Sequence, residues 1–265
     1  MLFRSIGVKE MMLNQKFGSA GNTIVIEEFL EGPEVSCLAF TDGKTIYPMI
    51  TSCDHKRAFD NDEGLNTGGM GTFAPAPFFG EKTAEEVMEK IMKPTVAAMN
   101  AEGRTFKGVL YFGLMKTKNG MKVIEYNARF GDPETQVILP MLKTDLLDIF
   151  EAITDERLAD IKIEWETGAC VCVVLASGGY PTAYEKGKEI TFDNLDEDIV
   201  LCHAGTKRMG EKLVTDGGRV LGVCAKGDTL EDARKKAYAN VVKIHFDGMH
   251  YRKDIGIKYK DVERE

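Results

Sequence analysis

The densest grouping of residues able to do chemistry lies at residues 122–136, KVIEYNARFGDPETQ. Glu125 and Asn127 alternate in a predicted strand, so their side chains are expected on one face. A carboxylate and an amide oxygen side by side suit a hard cation such as Mg²⁺, which takes few protein oxygens and leaves room for phosphate and water. Arg129 follows, and its planar fork suits a carboxylate or a phosphate. The alternative is an edge strand with solvated polar residues and a turn.

A glycine-rich segment lies upstream, at residues 66–71, NTGGMG. Glycine lacks a Cβ atom, so this segment allows the backbone to approach a ligand closely. Neither the P-loop pattern nor the dinucleotide-binding glycine spacing is present. The charged tetrapeptide DHKR at residues 54–57 precedes the glycines, and its cations could attract a phosphate. The alternatives are a flexible surface loop and a short solvated turn.

Strands must position these groups. Residues 23–30, TIVIEEFL, are predicted to form a buried strand that leads into a connector. Residues 34–40 and 45–49 are predicted strands joined by a turn that contains Asp-Gly, a strong hairpin signal. Residues 109–116 and 121–127 form a second predicted hairpin, whose second strand carries the paired carboxylate and amide.

Helices are predicted from capping residues and helical apolar spacing. Residues 83–86, TAEE, match a capping box, so a helix is predicted to begin there and to be broken or kinked at Pro94. A later helix opens at Thr229 and places apolar residues up to Ile244 on one face. The other predicted helices span residues 134–142 and 145–153, and the other predicted strands span residues 169–176, 190–192, 199–204, 212–215 and 219–226.

Two stretches stand apart in composition. Residues 52–80 are polar, then glycine-rich, then proline-rich, and a long irregular stretch of this kind is typical of a functional or disordered segment. Residues 155–165 are polar with few helix breakers, and a domain boundary is predicted there.

The overall charge of the chain argues against some classes of binding partner. The chain has 34 Lys and Arg against 42 Asp and Glu, which gives a formal charge of −8. An acidic chain argues against nucleic acid or an anionic membrane as partner. No apolar run approaches the ~20 residues needed to span a bilayer. The six cysteines contain no CxxC pair, which favours buried thiols and a cytoplasmic location.

Several segments occur in an order that resembles the phosphoribosylamine–glycine ligase family of ATP-grasp ligases. The similarity extends from about residue 9 to about residue 257. RFGDPETQ is highly specific to that family, whereas the Glu-x-Asn element is shared more widely by ATP-grasp ligases. The similar segments are VIEEFLEGPEVS, SCDHKR, NTGGMG, KGVLYFGLM, IEYNARFGDPETQ, GGYP, HAGT and GGRVLGV.

The resemblance implies an α+β fold, in which the C-terminal half of an ATP-grasp unit precedes a small mixed β domain with a covering helix. Residues 1–26 are then expected to be a remnant of the mobile ATP-grasp subdomain. Residues 27–160 are expected to form the catalytic subdomain, and residues 161–265 the C-terminal β-rich domain.

The resemblance also implies a reaction, an early step of purine synthesis. ATP phosphorylates the carboxylate of glycine, the amine of 5-phosphoribosylamine attacks the glycyl phosphate, and glycinamide ribonucleotide, ADP and phosphate are formed. The implied cofactors are ATP and Mg²⁺ or Mn²⁺. This chemistry depends mostly on positioning and charge neutralisation, which agrees with the cations and metal-binding oxygens in the motifs.

The resemblance assigns a role to each matching position. The expected metal-binding residues are Glu125 and Asn127. Arg129 and Asp132 are expected to act in catalysis, by orienting the substrate carboxylate or the transferred phosphoryl group. Glu27, Glu28 and Leu30 match the connector that binds adenine, and Glu34 matches a position that accepts from the ribose hydroxyls. Asp54, Lys56, Arg57, Asn66, Gly68 and Gly69 are expected to close over glycine or the ribosylamine.

The sequence departs from the family pattern at its start. Residues 1–22 offer no counterpart of the phosphate-binding lysines, so the chain is expected to be an N-terminally truncated and inactive portion, with the missing half as a partner. Apolar surfaces at residues 23–29 and 137–142 are expected to be exposed as a result. The alternatives are a non-catalytic nucleotide-binding fragment and an ATP-grasp ligase for another carboxylate.

Overall fold

The computed structural model of the protein describes residues 6–257. The chain divides into two compact units, Met1–Glu31 and Gly32–Glu265. The predicted segments 1–26 and 161–265 each extend beyond the described residues, and the three-part division of the chain stays a prediction. None of the helices formed by residues 6–257 has the length and apolar character that a membrane crossing requires.

The described part of the first unit is helical at residues 6–8, continues as a π-helix at Lys9–Leu13, and forms a 3₁₀-helix at Gly18–Asn22. Residues 23–31 follow without regular secondary structure, so the strand predicted over residues 23–30 is wrong. A strand needs a neighbour to pair its N–H and C=O groups, and no described strand pairs with this segment. As expected, this segment exposes the apolar side chains of Val25, Ile26 and Phe29.

The strands and helices of the second unit are numbered in chain order. Strands β1 to β8 span Glu34–Thr41, Ile46–Pro48, Cys53–Asp54, Arg57–Phe59, Glu63–Asn66, Gly71–Ala74, Gly108–Thr117 and Gly120–Asn127. Strands β9 to β16 span Ala169–Ser177, Thr191–Phe192, Val200–His203, Thr206–Met209, Lys212–Thr215, Arg219–Gly227, Ile244–His245 and Met249–His250. Helices α1 to α5 span Glu81–Val87, Lys93–Ala101, Thr135–Ile138, Leu146–Thr154 and Leu230–Val241.

The first sheet confirms both predicted hairpins. Its strand order is β2-β1-β7-β8, and all neighbours are antiparallel. β1 and β7 are largely buried in the centre, because their alternating apolar side chains meet core on both faces. β8 is an edge strand, which leaves its polar side chains accessible. Tyr111 of β7 is opposite Asn127, and Gly113 is opposite Glu125.

The second sheet joins strands from distant parts of the chain. Its order is β11-β14-β9-β6-β3, and β16 also pairs with β9. β3 and β6 come from residues 52–80, which also contain the hairpin of β4 and β5. That stretch was predicted to be irregular. The prediction is wrong because the buried strand β9 supplies hydrogen-bond partners to β6 that the local sequence does not reveal.

The helix caps confirm one sequence signal and correct another. α1 begins at Glu81 with Gly80 as its N-cap, so the start predicted at Thr83 is two residues late, and Thr83 is buried inside the helix. A π-helix at Met88–Met92 precedes α2, and Pro94 lies in the first turn of α2, where a missing N–H is tolerated.

The last long helix, α5, begins where its capping residue predicted. Thr229 is the N-cap and its Oγ1 accepts from the Asp232 N–H at 3.2 Å. The apolar face ends earlier than predicted, because α5 ends at Val241 and Ile244 belongs to β15.

Alternate residues of β9 divide the core in two, as the period-two geometry of a strand requires. Val171 and Val173 pack in one cluster with apolar residues of α5. Cys170 and Cys172 pack in the other cluster with Val137 of α3. The face predicted to be exposed at residues 137–142 is therefore covered: Val137 and Ile138 have no exposed surface.

Candidate functional site

The predicted metal pair lies at the end of edge strand β8. The Asn127 side-chain amide donates to Glu125 Oε1 at 3.3 Å, which confirms that the two side chains share a face. Arg129 Nη2 donates to Asn127 Oδ1 at 3.3 Å, and Arg129 Nη1 donates to the carbonyl of Phe130 at 2.8 Å. The three polar groups form a chain along one accessible edge.

A pocket opens beside this pair, where β1, β3, β7 and β8 meet. Its wall contains Glu34, Asp54, Lys56 and Glu125, so four residues that are separated by up to 91 positions come together. Lys56 Nζ forms an ion pair with Glu34 Oε2 at 3.1 Å. Partial burial would lower the pKa of Lys56, but the surrounding carboxylates, first of all Glu34, raise it above its ordinary value. Lys56 therefore remains charged.

A buried hydrogen-bond network supports the floor of this pocket. Ser36 Oγ and Tyr111 OH donate to the same oxygen, Glu134 Oε1, at 3.0 and 2.9 Å. Ser36 Oγ and Tyr111 OH are themselves 2.8 Å apart. Burial, with the negative charge of Glu134, raises the pKa of Tyr111, so the phenol stays a donor. The network holds one buried carboxylate in a single position.

A second carboxylate, Asp54, is less well satisfied. Its Oδ1 atom is buried and accepts no hydrogen bond from any described residue. Burial and the nearby charge of Glu134 raise the pKa of Asp54 well above its ordinary value, although Lys56 opposes this. Gly69 lies against this oxygen with a φ of +115°, and a Cβ atom there would be 2.7 Å from Oδ1. An unpartnered buried oxygen in a pocket wall indicates a place for a ligand donor.

The C-terminal strands hold the glycine-rich loop in position. Arg219 Nη1 of β14 donates to the carbonyl of Gly68 at 2.8 Å and to that of Asp132 at 3.1 Å. The same nitrogen is 3.1 Å from Asp132 Oδ1, which forms an ion pair. The Gly68 N–H in turn donates to Tyr180 OH at 2.9 Å. These contacts join the loop to the Asp132-Pro133 turn.

The remaining predicted site residues lie elsewhere. Arg57 and Asn66 face each other in the β4–β5 hairpin, where Arg57 Nη1 donates to the carbonyl of Gly64 at 2.7 Å. Neither residue lines the pocket, and their binding role stays a prediction. The predicted adenine-binding residues belong to the first unit, where Glu27 and Glu28 are exposed and Leu30 is partly buried.

Four residues of this site were missed in the sequence. Ser36 and Tyr111 are polar side chains inside otherwise apolar strands, which is a signal of a buried polar network that could have been read. Glu134 was interpreted only as a helix start, and Arg219 only as a strand start. No local pattern connects Arg219 with Gly68, because 151 residues separate them.

The donor atoms at Glu125 and Asn127 fit a hard divalent cation. Among residues 6–257, no group of three or more His, Cys, Asp or Glu side chains converges to hold a metal ion. A magnesium ion that accompanies a nucleotide needs only one or two protein oxygens. Glu125 and Asn127 provide one carboxylate and one amide oxygen on an accessible edge, which leaves room for water and phosphate. The Asn127 amide nitrogen lies 3.3 Å from Glu125 Oε1, and Asn127 Oδ1 accepts from Arg129, so the amide must turn its oxygen toward a bound cation.

Two family models match the chain. Residues 5–135 match the model described as phosphoribosylglycinamide synthetase, ATP-grasp (A) domain. Residues 170–258 match the model described as phosphoribosylglycinamide synthetase, C domain. Together they account for most of the sequence.

Relatives and solved structures agree with these matches. Proteins named phosphoribosylamine–glycine ligase from Caldanaerobacter subterraneus subsp. tengcongensis and Halalkalibacterium halodurans are each 50% identical to this chain, over 94% and 96% of it. The matches cover 60% and 59% of the two relatives, so the chain spans about 60% of their length.

The crystal structure of phosphoribosylamine–glycine ligase from Thermotoga maritima matches with a TM-score of 0.72 and 41% identity. That match covers 86% of this chain and 56% of the other. Biotin carboxylase from Campylobacter jejuni matches with a TM-score of 0.63, over 89% of this chain and 52% of the other, but at 15% identity, which shows the fold alone.

The fold is that of the ATP-grasp proteins, of the α+β class, and the pocket lies on the sheet that carries the Glu-x-Asn element. Within the ATP-grasp proteins, the matches to both domain models and to the ligases above indicate one family. The chain belongs to the phosphoribosylglycinamide synthetase family.

Proposed function

We propose that this chain supplies the catalytic and C-terminal portion of an enzyme that ligates glycine to 5-phosphoribosylamine at the expense of ATP. The products are glycinamide ribonucleotide, ADP and phosphate, and glycyl phosphate is the intermediate. The observation that carries this proposal is the buried, unpartnered oxygen of Asp54 in the same pocket as Glu125. The names of the relatives support the choice of reaction.

The charges of the pocket orient glycine. Asp54 and Glu134 lie close enough for Glu134 to raise the pKa of Asp54, so this end of the pocket favours a cation. The ammonium group of glycine is such a cation, and it can donate to the unpartnered Oδ1 atom. Its carboxylate then points away, toward the end of the pocket lined by Glu125. That end carries the groups suited to phosphate and metal.

Phosphoryl transfer requires neutralisation of charge at that second end. Glu125 and Asn127 would hold Mg²⁺ or Mn²⁺ on the ATP phosphates, and the metal when bound neutralises phosphate charge. Arg129, hydrogen-bonded to Asn127 at 3.3 Å, brings a second cation to the same edge. Its role is to orient the glycine carboxylate or the phosphoryl group as charge develops.

The loop contacts support binding of the second substrate. Asp132 is fastened by Arg219, and the same arginine holds the carbonyl of Gly68. We assign Gly68 and Gly69, with Lys56, to closure over the bound substrates. Arg57 and Asn66 keep their predicted role in substrate binding, although neither lines the pocket.

The nucleotide assignments rest on the family pattern. Glu27, Glu28 and Leu30 would present backbone groups to the adenine edge. Glu34 would accept from the ribose hydroxyls while it shares its carboxylate with Lys56, 3.1 Å away. A cytoplasmic location and a partner half that supplies phosphate-binding lysines complete the proposal.

Calorimetric titration of Mg-ATP into the purified chain tests the metal assignment. We expect magnesium-dependent binding, and Glu125→Gln should lower the affinity at least tenfold, the loss that follows when even an outer partner of a metal ligand is removed. Glu102→Gln, at an exposed position in the turn after α2, is the matched control and should bind as the wild type does. Equal affinities of the two variants would remove Glu125 from the metal site.

The amino-acid assignment is tested separately. Glycine should raise the melting temperature of the chain, and glycolate, which has a hydroxyl in place of the ammonium group, should not. Asp54→Asn should abolish the glycine effect and Glu102→Gln should preserve it. An equal response to glycine, glycolate and other carboxylates would favour an ATP-grasp ligase for a different acid. Nucleotide binding with no glycine response would favour a non-catalytic nucleotide-binding fragment.

A further inference from the structure

Three cysteines converge on one face of the second sheet, outside the pocket. Cys172 of β9 is directly opposite Cys224 of β14, and Cys202 of β11 lies diagonally across from Cys224. The Cys202 and Cys224 Sγ atoms are 3.7 Å apart. Gly222 lies beside this cluster, and a Cβ atom there would be 3.0 Å from Cys172 Sγ.

The members of this cluster differ in their access to solvent. Cys172 and Cys224 are at most 1% exposed, as are Cys37, Cys53 and Cys170, whereas Cys202 is only partly buried. A reagent dissolved in water therefore reaches Cys202 first. None of the six cysteines, all of which lie in the described part of the chain, forms a disulfide.

The electrostatics of the pair favour the same order. A hydrogen bond from Cys224 lowers the pKa of Cys202 to about 7, against burial and the charge of Asp132, which raise it. The neighbouring thiols and burial raise the pKa of Cys224 well above its ordinary value. A partly accessible thiolate next to a buried second thiol is the arrangement found in peroxide-sensitive proteins.

We propose that Cys202 and Cys224 are an oxidation site, at which a peroxide-class oxidant reacts with Cys202 and Cys224 resolves the product as a disulfide between β11 and β14. The sulfurs must approach by roughly 1.7 Å to reach bonding distance. Neither residue belongs to the proposed ligase pocket, so this inference stands independently of the proposed function.

The chemistry balances with one molecule of peroxide. The Cys202 thiolate attacks one peroxide oxygen, an S–O bond forms, the O–O bond breaks, and the departing hydroxide takes a proton to become water. The Cys224 sulfur, after losing its proton, then attacks the Cys202 sulfur; the S–S bond forms and the S–O oxygen leaves as a second water. Two thiols lose two electrons in total, and hydrogen peroxide is reduced to two waters.

Peptide mapping of the full chain tests this assignment. The reduced protein is treated with a small molar excess of hydrogen peroxide, blocked with iodoacetamide and digested with trypsin without reduction. Because Lys207 and Arg219 lie between the two cysteines, trypsin separates them unless a disulfide joins their peptides. We expect a linked species that contains Cys202 and Cys224 and disappears on reduction with dithiothreitol.

Variants identify the role of each sulfur. Cys202→Ser should abolish the linked species, and Cys224→Ser should leave Cys202 as a sulfenic acid that dimedone traps. Cys37→Ser, which removes a buried thiol outside the cluster, should still form the link, as should Cys172→Ser. A circular dichroism spectrum of each variant verifies its fold.

Two results would overturn the proposal, and both can be read in the wild type alone if a variant fails to fold. The first is a chain in which Cys202 proceeds to sulfinic acid with no linked peptide. The second is a disulfide that does not include Cys202. The first would mean that Cys224 cannot reach Cys202, and the second that accessibility does not select the reacting thiol.

Discussion

Two regions of the second unit bury charge, and they treat it in opposite ways. Arg252 is 1% exposed, yet its guanidinium is well satisfied. Nε and Nη2 donate to the two carboxylate oxygens of Asp254 at 2.7 and 2.6 Å, and Nη1 donates to Asp62 Oδ1 at 3.0 Å and to the carbonyl of Arg57 at 3.1 Å. These bonds fasten the β4–β5 hairpin to the C-terminal segment.

The pocket around Asp54 also buries charge, but its carboxylates do not all have hydrogen-bond partners. Glu134 receives two donors, from Ser36 and Tyr111, but Asp54 Oδ1 has none from the described residues. Buried polar groups in native proteins are nearly always paired, because an unpaired group loses its hydration without compensation. A charge cluster with all its partners therefore indicates a structural role, whereas the unpaired oxygen of Asp54 indicates a ligand site.

The largest effect is expected when the cation of the fully hydrogen-bonded cluster, Arg252 with Asp62 and Asp254, is removed. Arg252→Met should lower the free energy of unfolding by about 3–5 kcal/mol, because it leaves Asp62 and Asp254 without their buried partner. Urea unfolding measures the change. Arg104→Met, at an exposed position, is the matched control and should change stability by less than about 0.5 kcal/mol. Equal effects for the two variants would show that the cluster is not structural.

A smaller loss is expected in the half-complete cluster. Tyr111→Phe removes a donor to Glu134 and a contact with Ser36, so the free energy of unfolding should fall by about 2 kcal/mol, the range for hydrogen bonds to charged groups. Tyr47→Phe is the matched control, because Tyr47 OH donates only to the neutral carbonyl of Ile163, and about 1 kcal/mol is expected. A larger loss at Tyr47 than at Tyr111 would contradict the ranking.

The unpaired carboxylate should give a change of opposite sign. Asp54→Asn removes a buried charge whose Oδ1 atom accepts no hydrogen bond from the described residues, so at neutral pH the free energy of unfolding should rise by about 1 kcal/mol. The same variant should lose the glycine-induced increase in melting temperature. A stability gained together with binding lost is the signature of a ligand site. A destabilised variant would mean that Asp54 is structural.

The smallest expected effects concern the pH dependence of stability, which differs in sign between Asp254 and Asp54. Burial by itself would raise the pKa of Asp254, but the hydrogen bonds from Arg252 outweigh burial and lower this pKa to about 2. The stability that Asp254 contributes is thus present above its ordinary pKa near 3.8 and is lost as the pH falls toward 2. The raised pKa of Asp54 has the reverse effect, because protonation on acidification removes an unfavourable charge.

Urea midpoints measured over a series of pH values, for the wild type and the single variants Asp254→Asn and Asp54→Asn, measure both slopes. The stability difference between the wild type and Asp254→Asn should shrink as the pH falls. The advantage of Asp54→Asn over the wild type should also shrink, since the wild type then becomes neutral at that position. A constant difference in either case would contradict the pKa direction assigned to that residue.

The elements of the site that depend on near neighbours could be predicted from the sequence. The β7–β8 hairpin and the shared face of Glu125 and Asn127 follow from period-two alternation and a turn, which involve residues only a few positions apart. The cap at Thr229 is equally local. The wrong predictions depended on residues far away in the sequence. Residues 23–31 do not form a strand because no described strand pairs with them, and β6 forms because β9 lies beside it.

The sequence by itself determined the family and the strand that carries Glu125 and Asn127. Only the tertiary structure decided which carboxylate would be satisfied and which left unpaired. Ser36 reaches Glu134 across 98 positions, and Arg252 reaches Asp62 across 190. The physical reason is that hydrogen-bond satisfaction depends on the meeting of distant segments, whose register is set by the packing of the whole core and not by any local pattern.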